Sequence, residues 1–312
     1  MRRLTSIAAL AAVIAGGCTS ANEAETLSLA EELAAIAADA NEAVAALEHF
    51  LAQPYDNRAQ LYTRLVDLRL PTTFAILIDK AQRVVPPPGT EAELDRYVVF
   101  LTDLLVTSQH LDGSIAAEDL TAIAIAAVQF DAAMGALAAV LPASSCPALV
   151  PASSRDLCSP GDLNGYEARL GFELRKFIAS FRPAFRVPDT FGDVVRGRVL
   201  ATLQGDAALV LENTANRLGD LDPGTAYVRL HQILLDYFPG ATAAWAEFDV
   251  DPDTDDPLIY RLIVDSLEAE RVTTQALLEA EHELIQSALP GSQIVSITDM
   301  WFAAPAEARS EE

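Results

Sequence analysis

Leu29, Leu33, Ile36, Ala40, Ala43, Leu47 and Phe50 recur at alternating intervals of four and three residues. That spacing puts one apolar seam on a long helix, predicted over about residues 24–52 and ended by Pro54. Residues 56–70 continue the helical pattern, and Pro71 kinks or restarts it ahead of Phe74, Leu77 and Ile78. Pro86, Pro87, Pro88 and Gly89 form a stop, after which Thr90 and Glu93 read as a capping-box start for a helix to about His110. Gly113 is predicted as a turn, and Ser114 as the cap of the next helix.

That next helix, about 115–141, carries Leu120, Ile123, Ala127, Phe130, Met134, Leu137 and Leu141 on one seam, with Ile125 and Val128 on another side. A helix apolar nearly all round lies at the centre of a bundle or in a bilayer. Gln129 and Asp131 near its middle favour the bundle, because a mid-bilayer charge costs about 2.5 kcal/mol or more.

Residues 142–164 are rich in Pro, Ser and Gly and mark a boundary. Beyond it, Leu170, Leu174, Phe177 and Phe181 repeat the four-three spacing, and a helix is predicted from about Asp189 to Leu218. Asp222 and Pro223 start another helix, with Tyr227, Leu230, Leu234 and Phe238 on one face and Pro239-Gly240 closing it. The last long helix spans about 257–289 through Ile259, Ile263, Leu267, Leu277, Leu284 and Ala288. Ile294, Val295, Ile297, Trp301 and Phe302 then read as an extended apolar segment packed on the bundle. The expectation is an all-α helical bundle of two packed four-helix halves, 24–141 and 165–302, with a short extended C-terminal segment and a loose acidic tail at 303–312.

Charge narrows the class. With 45 acidic and 21 basic residues the 312-residue chain carries a formal charge of −24. Such a body repels nucleic acid and anionic lipid and favours cationic partners or divalent cations.

The first residues differ from the rest. Arg2 and Arg3 precede an apolar run, Leu4 to Gly17, which has the length of a signal-peptide core and is too short to span a bilayer. Ala15, Gly16 and Gly17 lead into Cys18. This stretch resembles the lipobox of bacterial lipoproteins, with Ala15 standing where that family favours Leu. The resemblance covers residues 1–20 only. It implies that residues 1–17 are a cleaved signal peptide, that Cys18 is the site of lipid attachment, and that residues 18–23 are a tether. Thr19 after the cysteine, where an Asp would retain an enterobacterial lipoprotein in the inner membrane, implies the outer membrane, facing the periplasm. An ordinary secretory signal cut after Ala21 and an uncleaved anchor are the other readings.

Export sets the expectation for the remaining cysteines. Cys146 and Cys158 are predicted to pair in an oxidising compartment, free thiols being the alternative. A zinc site would need more ligands than this loop supplies.

Two stretches hold candidate binding chemistry. In residues 165–198 seven basic side chains face four acidic ones, with Phe residues interleaved. Arg175, Lys176, Arg182 and Arg186 are the candidate docking patch for an acidic partner or lipid headgroups. The competing reading makes the Phe residues core and pairs the arginines with acids. In the run from Asp249 to Asp256, the residues Asp249, Asp251, Asp253 and Asp255 are a candidate calcium site, weakened by the lack of a turn Gly and a distal Glu. Asp256-Pro257 reads equally as N-cap and first turn of the last helix.

Other chemistry is absent. Asp112-Gly113 sits in no EF-hand, because its loop lacks the upstream ligands and the terminal Glu. Glu279 and His282 form a single Glu-x-x-His, whereas a di-iron bundle needs two. No metalloprotease, nucleophile-elbow or P-loop pattern occurs. The expectation is therefore a non-enzymatic scaffold or accessory protein of the cell envelope, held to the membrane by acyl chains and contacting an envelope protein. A periplasmic module for a small ligand or calcium is the alternative. An enzyme with a site assembled from dispersed acids is the third reading.

Overall fold

A computed structural model describes residues 21–86, 88–141, 146–158, 165–247, 250–251, 256–287 and 296–302. The predicted leader, Cys18 and residues 303–312 lie outside the described residues. Every described element is helical. Long helices run over Ala21–Ala52 (α1), Arg58–Asp67 (α2), Leu70–Gln82 (α3), Glu91–Ala116 (α4) and Leu120–Val140 (α5). After a short helix at Cys146–Leu149 (α6) and a 3₁₀ turn at Ala152–Leu157 come Tyr166–Phe181 (α7), Asp193–Gly219 (α8), Val228–Ala246 (α9), Asp256–Ser287 (α10) and Ile297–Phe302 (α11). The all-α bundle expected from the spacing is what forms.

The starts of α2 and α3 have local causes, whereas Thr90 at the start of α4 makes no side-chain cap bond, so the expected capping box does not form. Asn57 Oδ1 accepts from the Gln60 amide at 3.0 Å while Gln60 Oε1 accepts from the Asp56 amide at 2.8 Å, which fixes the entry to α2. Arg69 breaks the chain with a left-handed φ of 50°, and Pro71 occupies the first turn of α3, so Pro71 restarts rather than kinks. The N-terminal half thus carries five helices in place of four.

Several local expectations are corrected, among them the helix start at Asp222-Pro223, since α9 begins only at Val228. Gly113 is no turn: α4 runs through it to Ala116, and Ser114 Oγ donates to the His110 carbonyl at 2.8 Å instead of capping. The turn falls at Glu118 (φ 57°), and Asp119 caps α5 through Oδ1 to the Ala122 amide at 3.0 Å. Pro239 does not end α9, which continues to Ala246 because Phe238 on one side and Trp245 on the other are both buried. Of the apolar segment near the C-terminus, Ile297–Phe302 is a helix rather than extended and buries Ile297, Met300 and Trp301, while Ile294 and Val295 lie outside the described residues.

α5 alone among the described helices is long and apolar enough to cross a membrane. It packs instead against α4, α7 and α8. Those contacts join the two halves into one continuous core, from Leu33 to Trp301. At its centre, Phe177 meets Phe238 edge-on at 4.9 Å, and Phe181 meets Trp245 at 5.5 Å.

Candidate functional site

The arginines of the candidate docking patch separate. Lys176 stays at the surface, 5.1 Å from the centre of the Phe172 ring and 3.8 Å from Glu173 Oε2. Arg175 and Arg182 are buried, at 4% and 3% exposure, so they offer nothing to a docking partner. The reason is α7 itself, whose apolar stripe is wide enough to draw both flanking guanidiniums under the neighbouring elements.

Arg182 donates from Nη1 to the Met300 carbonyl, while Arg175 Nε and Nη1 find no hydrogen-bond partner among the described residues. Burial lowers the Arg182 pKa to about 10, with Arg186 pushing the same way and Asp131 and Asp156 opposing. Arg186 is also lowered by burial, against the fields of Asp131, Asp156, Glu270 and Glu48. The charge at mid-α5 that argued against a membrane span is thus part of an internal cluster gathered from five elements. The cluster is structural in chemistry: a buried Arg182 among half-buried groups of opposite sign whose fields offset one another.

A second polar group lies where α7 and α9 begin. Tyr166 OH and His231 Nδ1 are 3.0 Å apart, Tyr166 and Tyr227 stack at 5.3 Å, and Tyr227 OH donates to Glu167 Oε1. Burial lowers the His231 pKa, with Asp222 pulling the other way. Tyr166 is pushed up by burial and holds its proton.

The site the sequence reading missed is a groove between α9 and α10. One section, about 370 Å³, is lined by Tyr237, Gly240, Ala241, Ala244 and Trp245 from α9 and by Ala269, Val272 and Thr273 from α10. Asp236, Asp265 and Glu268 stand at its edge. A second section of about 420 Å³ shares Ala244 and Asp265 and continues past Glu247, Val250, Leu258, Arg261 and Leu262. The groove exists because small residues meet where two helices would otherwise interdigitate. A side chain built on Gly240 would meet nothing within 4 Å. Below, Tyr237 OH donates to Thr273 Oγ1, which donates in turn to the Ala269 carbonyl at 2.8 Å, and this chain clamps α9 to α10. The signal was present in Gly240, Ala241 and Ala244 at helical spacing, but reading Pro239-Gly240 as a stop hid it.

On another side of α10, Tyr260, Val264 and Leu267 stand exposed at four-three spacing, at 47%, 64% and 56%. Leu267 was expected in the core; the core positions are Ile259, Leu262, Ile263, Leu277 and Leu284.

Of the candidate calcium residues, Asp249, Asp253 and Asp255 lie outside the described residues, and Asp251 is exposed. Among the described residues no three His, Cys, Asp or Glu side chains come together as a metal site. Cys146 and Cys158 form a disulfide, with Cα atoms 5.8 Å apart. Comparison of the chain with family models, curated proteins and solved structures finds no match.

Proposed function

We propose that this protein is an exported lipoprotein, held by acyl chains on Cys18 at the periplasmic face of the outer membrane, that works as a scaffold or accessory subunit through protein contacts. The observation that supports this most is the α9–α10 pair, which presents an apolar groove on one side and the Tyr260–Val264–Leu267 row on another. Apolar rows at helical spacing are ordinarily covered, and exposed ones mark contact surfaces. The lipobox-like leader supplies the membrane attachment. Calcium binding at the Asp249–Asp256 run remains a separate reading, and so does a small ligand, which a groove of 370 Å³ is large enough to hold.

Photocrosslinkers placed in native cells at Val264, at Ala244 and, as a control, at Val106 on α4 test the proposal. The expected result is one envelope protein trapped from Val264 or Ala244, absent from Val106 and lost with Cys18→Ser. Equal labelling from all three positions, or none above background, overturns it.

A further inference from the structure

We propose that the α9–α10 groove receives a cationic amphipathic helix of the partner protein, apolar face down and basic residues against the rim. This rests on the protein-contact reading above and names the chemistry of the partner.

Shape selects a helix. The floor is made of Gly240, Ala241, Ala244 and Ala269, with the Val272 side chain and the edge of the buried Trp245 as walls. From Asp236 to Glu247 it follows α9 for about 16 Å at 1.5 Å per residue, the length of three helical turns. A floor of small residues lets a third helix approach closely, and a helix in such a groove is read through anchors at i, i+3/i+4 and i+7. No sheet edge among the described residues offers an extended peptide a template.

Charge selects the sign. Four carboxylates line the groove, from Asp236, Glu247, Asp265 and Glu268, against the single guanidinium of Arg261. Arg271 pairs with both Glu268 oxygens at 2.8 and 2.6 Å and Arg261 with Asp265 at 3.6 Å, so the net negative charge of the rim comes from Asp236 and Glu247. A second copy of this chain would bring a further formal charge of −24 to an acidic rim. The chain's own last ten residues, with three Glu and one Arg, carry the same wrong sign. Anionic lipid is repelled for the same reason. A basic helix is the occupant that fits both the floor and the rim.

The test uses the purified full chain carrying Cys18→Ser, so that no acyl chain contributes to binding, and held in mild detergent. The probes are a synthetic helix of about 14 residues with Leu at i, i+4 and i+7 and Lys elsewhere, its Leu/Glu counterpart, and spermine. Fluorescence anisotropy reads binding of the peptides, and calorimetry reads spermine. Binding of the Lys helix alone is expected, weakening as salt rises. Gly240→Phe changes no charge and fills open space, so it should weaken that binding by about tenfold or more. Asp236→Asn with Asp265→Asn should weaken it severalfold and flatten the salt dependence.

Circular dichroism and the melting curve report whether Gly240→Phe has folded. If it has not, Ala244→Leu replaces it as the block. Lys-helix binding untouched by the block would mean diffuse attraction to an acidic body, and the proposal falls. Binding of spermine that the block abolishes would mean a small amine site, and the proposal falls equally. If the Lys helix fails while Ala244 still crosslinks an envelope protein, the partner chemistry is wrong and the scaffold reading stands. If both fail, both are wrong.

Discussion

Arg182 donates a hydrogen bond to the main-chain carbonyl of Met300, 118 residues further along the chain. This contact ties the end of α7 to α11, the last described element, and it sits beside the fields of Asp131 and Asp156. A buried guanidinium so placed is costly to remove singly, because its partners stay behind without it. Arg182→Ala should therefore destabilise the protein by about 3 kcal/mol or more. Urea unfolding of the two proteins measures it. Lys176→Ala, near the surface and nearly two turns earlier, should change stability by less than about 1 kcal/mol. Similar losses for both would mean that Arg182 contributes no more than a surface charge.

The helical layout was legible because apolar spacing survives in long elements. Leu33, Ile36, Ala40 and Leu47 are buried as the seam of α1 required, and α5 packs as a central helix. What failed was the reading of local breakers. Gly113 and Pro239 each carry a real local penalty, but the buried residues on both sides, Leu111 with Ile115 and Phe238 with Trp245, outweigh it. For Arg182 and Arg186, the reading that makes the Phe residues core and sets the arginines against acids is the one the structure agrees with, but the identity of those acids was hidden. Their compensating acids come from α1, α5, α10 and the 3₁₀ turn, and sequence distance conceals that meeting. The groove was illegible because it is made of missing side chains, which no positive pattern announces.

Two glycines in helix interiors should answer the same substitution with opposite signs. A methyl at Gly197 would lie 2.2 Å from Ile259 Cγ2 and 3.1 Å from the Ile259 carbonyl, so α8 and α10 would have to separate. Gly197→Ala should cost about 1–3 kcal/mol by overpacking. At Gly113 nothing lies within 4 Å, and Gly113→Ala should stabilise by about 0.5–1 kcal/mol. Thermal melts of the pair decide it. A loss at Gly113 would restore the turn read from the sequence.

The Cys146–Cys158 bond closes a loop with a sequence separation of 12, packed by α6 against α1 and by its 3₁₀ turn against α5. Closing a loop of that size restricts the unfolded chain, and the double change Cys146→Ser, Cys158→Ser should cost about 2–4 kcal/mol. Urea midpoints of the oxidised protein and the double variant supply the number. Identical intact masses with and without reductant would show that the thiols are free.

His231 gives the protein a pH dependence whose sign follows from burial. The ring is 8% exposed, bonded to Tyr166 and near Asp222, and its pKa is lowered from the ordinary 6.5. Above 6.5 the ring is neutral in both folded and unfolded chains and contributes no pH dependence. On acidification the unfolded chain takes up the proton first, so stability falls as pH drops through 6.5 and levels once the folded ring is protonated. Glu270 and Asp112 work in the opposite sense further down: burial raises both, so the folded chain holds their protons more tightly and gains stability as they protonate. Comparing His231→Gln with the parent isolates the imidazole, since Gln keeps a polar group beside Tyr166 without titrating. Between pH 7.5 and 5.5 the parent should lose stability relative to the variant. Parallel curves across that interval would mean that the ring titrates alike in both states and that its burial is not felt.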